Sequence, residues 1–124
     1  MRRTVLFAVG LALAPAPAAA SPSVYLSAPR DPRAVTVRGV GDGRADDTAA
    51  LQSAIDEAAG ERRGGIVFLP AGRYRISRTV FVRSGVRVFG VGRTRPVIVL
   101  ADATPGYASG IAAMLSFTGE DQYR

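Results

Sequence analysis

Two adjacent carboxylates, Asp46 and Asp47, are the first candidates for chemistry. A pair of acids flanking a glycosidic bond can divide general-acid and base or nucleophile work between them. Asp56-Glu57 and Glu120-Asp121 offer the same residue types. Seven arginines (Arg73, Arg75, Arg78, Arg83, Arg87, Arg93 and Arg95) stud the stretch between those pairs. A guanidinium fork matches a carboxylate bidentately, so a row of them could hold a polyuronate chain. The rest of the inventory is short. The 124 residues include no Cys and no His, which excludes disulfides, thiolate or imidazole metal sites, Cys nucleophiles and a Ser-His-Asp triad. All 16 basic residues are Arg, so Lys-based phosphate-loop and Schiff-base chemistry is excluded as well. Carboxylates, Arg, Tyr and hydroxyls remain, and no metal or cofactor is expected.

Local structure accounts for most of these groups without catalysis. Leu51, Ala54, Ile55 and Ala58 fall at i, i+3, i+4 and i+7, an apolar stripe that predicts a helix over 47–59. Asp46 and Asp47 sit at its start, where a carboxylate accepts from the free N–H groups of the first turn and suits the positive end of the dipole. Capping is therefore the preferred reading of the pair. Asp56-Glu57 reads as a solvated helix face, and Glu120-Asp121 has no motif around it. The arginines read first as a solvated outer surface. Among them Arg73 and Arg75 lie on one side of their strand, opposite Tyr74 and Ile76, and are the candidate glycan-binding residues.

The elements that position these groups are mostly strands. Residues 34–38 (AVTVR) alternate and are β-branched. Gly39-Val40-Gly41-Asp42-Gly43 reads as a glycine-rich turn with at least one residue at positive φ. After Gly60 and a polar loop, residues 66–69 (IVFL) form an unbroken apolar run, buried on both faces. Pro70-Ala71-Gly72 is a turn. Strands at 73–77, 79–82, 86–89 and 97–100 follow, separated by Gly- or Pro-containing breaks, with one more apolar segment at 111–117. This series indicates stacked strands with no intervening helix. It reaches Arg124 without a polar cap, so an open last coil and oligomerisation through it are expected.

The N-terminus reads as an export signal over 1–20. Arg2 and Arg3 are followed by an uncharged apolar run over 4–14, then by Pro15, Pro17 and small residues at Ala18 and Ala20. Cleavage between Ala20 and Ser21 is expected, by the general route rather than the twin-arginine one, into a secreted (extracellular or periplasmic) location. The apolar run is shorter than the about 17–25 residues that span a bilayer. Residues 21–33, with Pro22, Pro29 and Pro32, form an extended leader, and 34–124 form one domain. The mature chain would carry 14 Arg against 10 acids, a weak positive balance that permits an anionic partner. No basic stretch is interleaved with aromatics, so no nucleic-acid partner is expected. At 48% hydrophobic and 21% charged, the composition is neither that of a disordered chain nor that of a membrane protein.

Residues 41–55 spell GDGRADDTAALQSAI, 64–74 spell GGIVFLPAGRY and 84–92 spell SGVRVFGVG. Together, over about 35–100, these motifs resemble the N-terminal part of the pectate lyase superfamily. That group includes rhamnogalacturonase- and polygalacturonase-like enzymes, epimerase-like proteins and phage tailspikes. The resemblance implies an all-β fold, a right-handed parallel β-helix, with the 47–59 helix capping its first coil. It makes Gly41, Asp42, Gly43, Asp46, Asp47, Thr48, Pro70 and Gly72 structural motif residues. The family usually has one more residue between the first strand and GDG than this chain has. The resemblance further implies an exported protein acting on an acidic, uronate-containing polysaccharide as hydrolase, lyase or epimerase. Its catalytic residues would lie on later coils, and no catalytic residue is identifiable in this chain. The alternative is a non-catalytic adhesin or tailspike-like module.

Overall fold

The computed structural model describes residues 21–60, 64–110 and 112–117. The expected export segment and the Glu120-Asp121 pair lie outside the described residues. In chain order the elements are β1 (Ala34–Thr36), β2 (Asp42–Asp46), α1 (Thr48–Ala59), β3 (Ile66–Pro70), β4 (Arg73–Ile76), β5 (Val80–Val82), β6 (Arg87–Val91), β7 (Val97–Leu100) and β8 (Leu115–Phe117). The chain is mostly β with one helix. The strands form three small open sheets in the orders β1-β3-β6, β2-β4-β7 and β5-β8. Every pairing is parallel. The chain therefore visits the three sheets in rotation, and α1 takes the turn of the third sheet on the first circuit.

Alternation along each strand sorts the side chains. Val37, Val67, Leu69, Tyr74, Ile76, Val80 and Val82 turn inward and form one core with the helix stripe of Leu51, Ala54, Ile55 and Ala58. Registers in phase keep like faces stacked: Tyr74 lies opposite Ile98, and Ile76 opposite Leu100. Ile98, Leu100 and Leu115 pack against this core but remain partly open. In β3, the successive residues Val67, Phe68 and Leu69 are all buried, as an unbroken apolar run predicts.

α1 packs on strands of all three sheets (β1, β3, β4 and β5), so its stripe covers one end of the core. It also closes a sheet edge. The Phe81 N–H donates to Gln52 Oε1 at 2.9 Å, and Gln52 Nε2 donates to the Phe81 carbonyl at 3.1 Å. The side-chain amide thus bonds β5 as a neighbouring strand's peptide would, on the edge where the third sheet has no earlier strand. An unpaired edge is a template for association, and Gln52 removes part of it. Gly60 terminates the helix at φ 35°, its N–H donating to the Asp56 carbonyl at 3.2 Å.

Ile55 is 3% exposed in the middle of that stripe. Ile55→Ala should lower unfolding free energy by about 2–4 kcal/mol, the range for a large-to-small change in a packed core. Urea titration checks this, and an unchanged midpoint would contradict the helix's role in covering the core.

Candidate functional site

The motif over 41–48 does not form the plain turn its glycines predict. Residues Asp42–Asp46 form β2, paired with β4 through Asp42 opposite Arg73 and Asp46 opposite Arg75. Four steps on β2 thus match two on β4, so extra residues bulge out of the ladder. Gly41 and Gly43 absorb the bulge at φ 65° and 76°. Asp42 stabilises it by accepting the Arg44 and Ala45 N–H groups at 2.7 and 2.9 Å, and these bonds hold its carboxyl below the ordinary value. No β-branched residue marks β2 in the sequence, and the side-chain bonds of Asp42 supply what propensity does not.

Asp47 has a different task from the cap its position predicts. It occupies the N-cap position of α1, yet its carboxylate makes no bond to the helix. It accepts instead from the N–H groups of Val40 and Gly41, at 2.7 and 3.0 Å. The backbone of Asp47 is equally engaged. Its N–H donates to the Arg75 carbonyl at 2.8 Å, and its carbonyl accepts the Leu51 N–H at 3.0 Å. At 2% exposure the carboxylate is dry, and the two loop N–H groups are what make its burial tolerable. The loop must come close for this. A Cβ at Gly39 would stand 2.8 Å from Asp47 Oδ1, so glycine is required there.

Asp46 supplies the helix-start contact. Its Oδ1 accepts the Thr48 N–H at 3.0 Å and the Thr48 hydroxyl, and its Oδ2 accepts the Ser77 hydroxyl. Thr48 Oγ1 in turn accepts the Ser77 N–H at 2.9 Å, joining the start of α1 to the end of β4. The Ser77 hydroxyl, then the Thr48 hydroxyl and N–H, hold the Asp46 carboxyl down to about 2, slight burial opposing them. Nearby, the Tyr74 hydroxyl donates to the Pro70 carbonyl at 3.0 Å, and burial followed by the Asp47 charge pushes its pKa up. The Gly72 carbonyl accepts the Val97 N–H at 2.9 Å, tying that turn to β7. A glycosidase acid must keep its proton near neutrality. Asp46 is held ionised, so it lacks that property, and both oxygens of Asp47 are already engaged by the Val40 and Gly41 N–H groups.

The arginines do not form one row. Arg83 pairs with Asp56 at 2.6 Å, Arg87 stands on β6 in a different sheet, and Arg95 Nε donates to the Pro22 carbonyl. Arg73 and Arg75 face outward from β4, opposite buried Tyr74 and Ile76. Arg75 Nη1 donates to the Arg44 carbonyl at 3.3 Å, bringing Arg44 beside them on the same sheet. Neither Arg73 nor Arg75 makes an ion pair among the described residues. This is a small cationic surface able to meet carboxylates at the guanidinium forks. No helix among the described residues is long and apolar enough to cross a membrane.

The carboxyl of Asp46 fixes the sign of one pH effect. With a folded value of about 2 against an ordinary 3.8, its contribution is fully present above pH 3.8 and lost as pH falls toward 2. Stability should fall across that window. Asp31 and Asp42 are also lowered, so comparison with Asp46→Asn isolates this group. Acid titration of the two proteins should give a shallower slope for the variant, and parallel curves would remove Asp46 as a source.

The family model described as rhamnogalacturonase A/epimerase, pectate lyase-like matches residues 34–120. Mannuronan C5-epimerase AlgE3 of Azotobacter vinelandii is 40% identical over 90 residues, 66% of this chain and 5% of that protein. Alginate lyase 7 of the same organism is 41% identical over 78 residues, 57% of this chain and 9% of that protein. Plasmin and fibronectin-binding protein A of Streptococcus pneumoniae is 49% identical over 45 residues, 36% of this chain and 6% of that protein. The chain thus spans less than a tenth of the length of each of these three relatives. No solved structure matches.

Proposed function

The chain belongs to the rhamnogalacturonase A/epimerase, pectate lyase-like family, and we propose that it is the N-terminal part of an exported, polysaccharide-active right-handed parallel β-helix. The observation that carries the architecture is the rotation of consecutive strands through three parallel sheets, with α1 over one end of the core. In this reading residues 1–20 are a cleavable signal cut after Ala20, residues 21–33 a leader, and 34–124 the cap and first coils. Gly41, Asp42, Gly43, Asp46, Asp47, Thr48, Pro70 and Gly72 are the motif that joins the first circuit to the second.

The substrate class follows from the relatives' names and the chain's own charge. Mannuronan and alginate are acidic glycans, and Arg73 and Arg75, which make no ion pair among the described residues, face outward from β4, Arg75 being bonded to the Arg44 carbonyl. We assign these two arginines to holding glycan carboxylates and assign no catalytic step to any residue described here. A second reading, a non-catalytic binding module, is favoured by the likeness to plasmin and fibronectin-binding protein A.

Retention on immobilised alginate as a function of salt tests the glycan reading. The chain should be held at low ionic strength and released as salt rises. The double variant Arg73→Ala, Arg75→Ala should weaken binding about three- to tenfold, because each exposed charge pair contributes only a few tenths to one kcal/mol. A chain that passes through at low salt sinks the glycan reading. Retention of plasmin or fibronectin in place of alginate would favour the second.

A further inference from the structure

The leader is bonded to the far end of the stack. The Arg87 N–H donates to the Gly65 carbonyl at 3.0 Å, so residue 87 faces β3. Backbone alternation turns the N–H groups of residues 89 and 91 the same way and those of 88, 90 and 92 toward the opposite edge. On that opposite edge the Gly92 N–H donates to the Tyr25 carbonyl at 2.9 Å. The Ser23 N–H donates to the Gly92 carbonyl at 3.1 Å, and Tyr25 forms an isolated bridge with Val91. The hold continues around the next turn. The Arg95 N–H and Nε donate to the Ser21 and Pro22 carbonyls at 3.1 and 3.2 Å, and Ser23 Oγ donates to the Thr94 carbonyl at 3.4 Å.

The side chains fit the same arrangement. The Tyr25 ring stands edge-on to Phe89 and Phe68, with centroids 5.7 and 6.5 Å away, and so covers the outward faces of β6 and β3. Phe68 lies outside the main core cluster yet is 3% exposed. Gly90 leaves the room. A Cβ there would stand 2.8 Å from Pro96 Cδ and 3.3 Å from Ser23 Oγ. Pro22 has no N–H of its own, so the leader adds an edge that is poor at templating a further strand.

We propose that residues 21–25 are a strap that blocks the far edge of β6 and must be released before that edge pairs with another strand. With the strap off, Gly92 loses its bonding partner and Phe68 and Phe89 lose their cover. A bare parallel-strand edge beside exposed aromatics associates with a second copy. Strap release and self-association are therefore coupled.

Hydrogen exchange and sedimentation velocity on the purified chain, on Tyr25→Ala and on Arg95→Ala test this. In the parent, the Ser23 and Gly92 amides should exchange at least about tenfold more slowly than in Tyr25→Ala. The same variant should sediment faster with rising concentration than the parent does, and Arg95→Ala should shift both readouts in the same direction by less. The Leu51 amide, bonded inside α1, reports whether the core is intact. If it loses protection in Tyr25→Ala, Arg95→Ala alone is scored. Rapid Gly92 exchange in the parent overturns the strap. So does a variant that frees Gly92 while sedimenting as the parent does.

Discussion

One buried residue, Asp47, joins the first circuit of this chain to the second through its backbone and shapes the preceding loop through its carboxylate. Asp47 ends the β2 ladder with its N–H, begins α1 with its carbonyl, and gathers the glycine loop with its side chain. Three directions of chain are set at one residue. Without the two loop N–H groups the carboxylate would be buried at a high desolvation cost, and without the carboxylate those N–H groups would lack a partner. The closeness of Gly39, the positive φ of Gly41 and the placement of α1 over the core all follow from this mutual dependence. Asp46 works alongside on the exposed side, joining the helix start to Ser77. The two adjacent acids thus divide anchoring and capping between them.

A chain built of parallel strands leaves bare edges, and this one treats its two ends differently. At the α1 end, Gln52 offers β5 a side-chain amide in place of a peptide. At the β6 end, the backbone of Ser23 and Tyr25 bonds Gly92 in an equivalent way. In both cases the partner is a segment that cannot itself continue the sheet: a helix in one, a proline-bearing strap in the other. On the outward face of β4, Arg73 meets solvent and Arg75 is half-buried.

The features legible in the sequence were those with strong periodicity. The helix stripe, the alternation of Tyr74 and Ile76 against Arg73 and Arg75, and the doubly buried run at β3 are local patterns that packing reinforces. What escaped depends on partners distant in the chain. The β2 residues carry no strand propensity and are held by Asp42 side-chain bonds and the β4 ladder. Asp47 has a sufficient local explanation as a cap, and only the unmet N–H groups of Val40 and Gly41 would have pointed elsewhere. Tyr25 sits in a proline-rich stretch without periodicity, and its partners Phe68 and Phe89 lie on the second and third circuits. Gln52 lies off the stripe and looks like an ordinary polar surface residue.

The rotation through three sheets also sets an order of assembly. No strand pairs with its neighbour in sequence: Ala34 meets Ile66, Ile66 meets Arg87, and Val80 meets Leu115. Each ladder therefore closes a long loop before its bonds repay the lost chain entropy. Among the strands and helix described, α1 alone builds its backbone ladder from its own neighbours, and a helix of 12 residues is marginal by itself. It packs on β1 of its own circuit and on β3, β4 and β5 of the next, so the first two circuits form as one cooperative unit. Later strands then add to an existing template one at a time. Folding acquires a direction, from the helix end outward, which is also the order in which the chain leaves the ribosome.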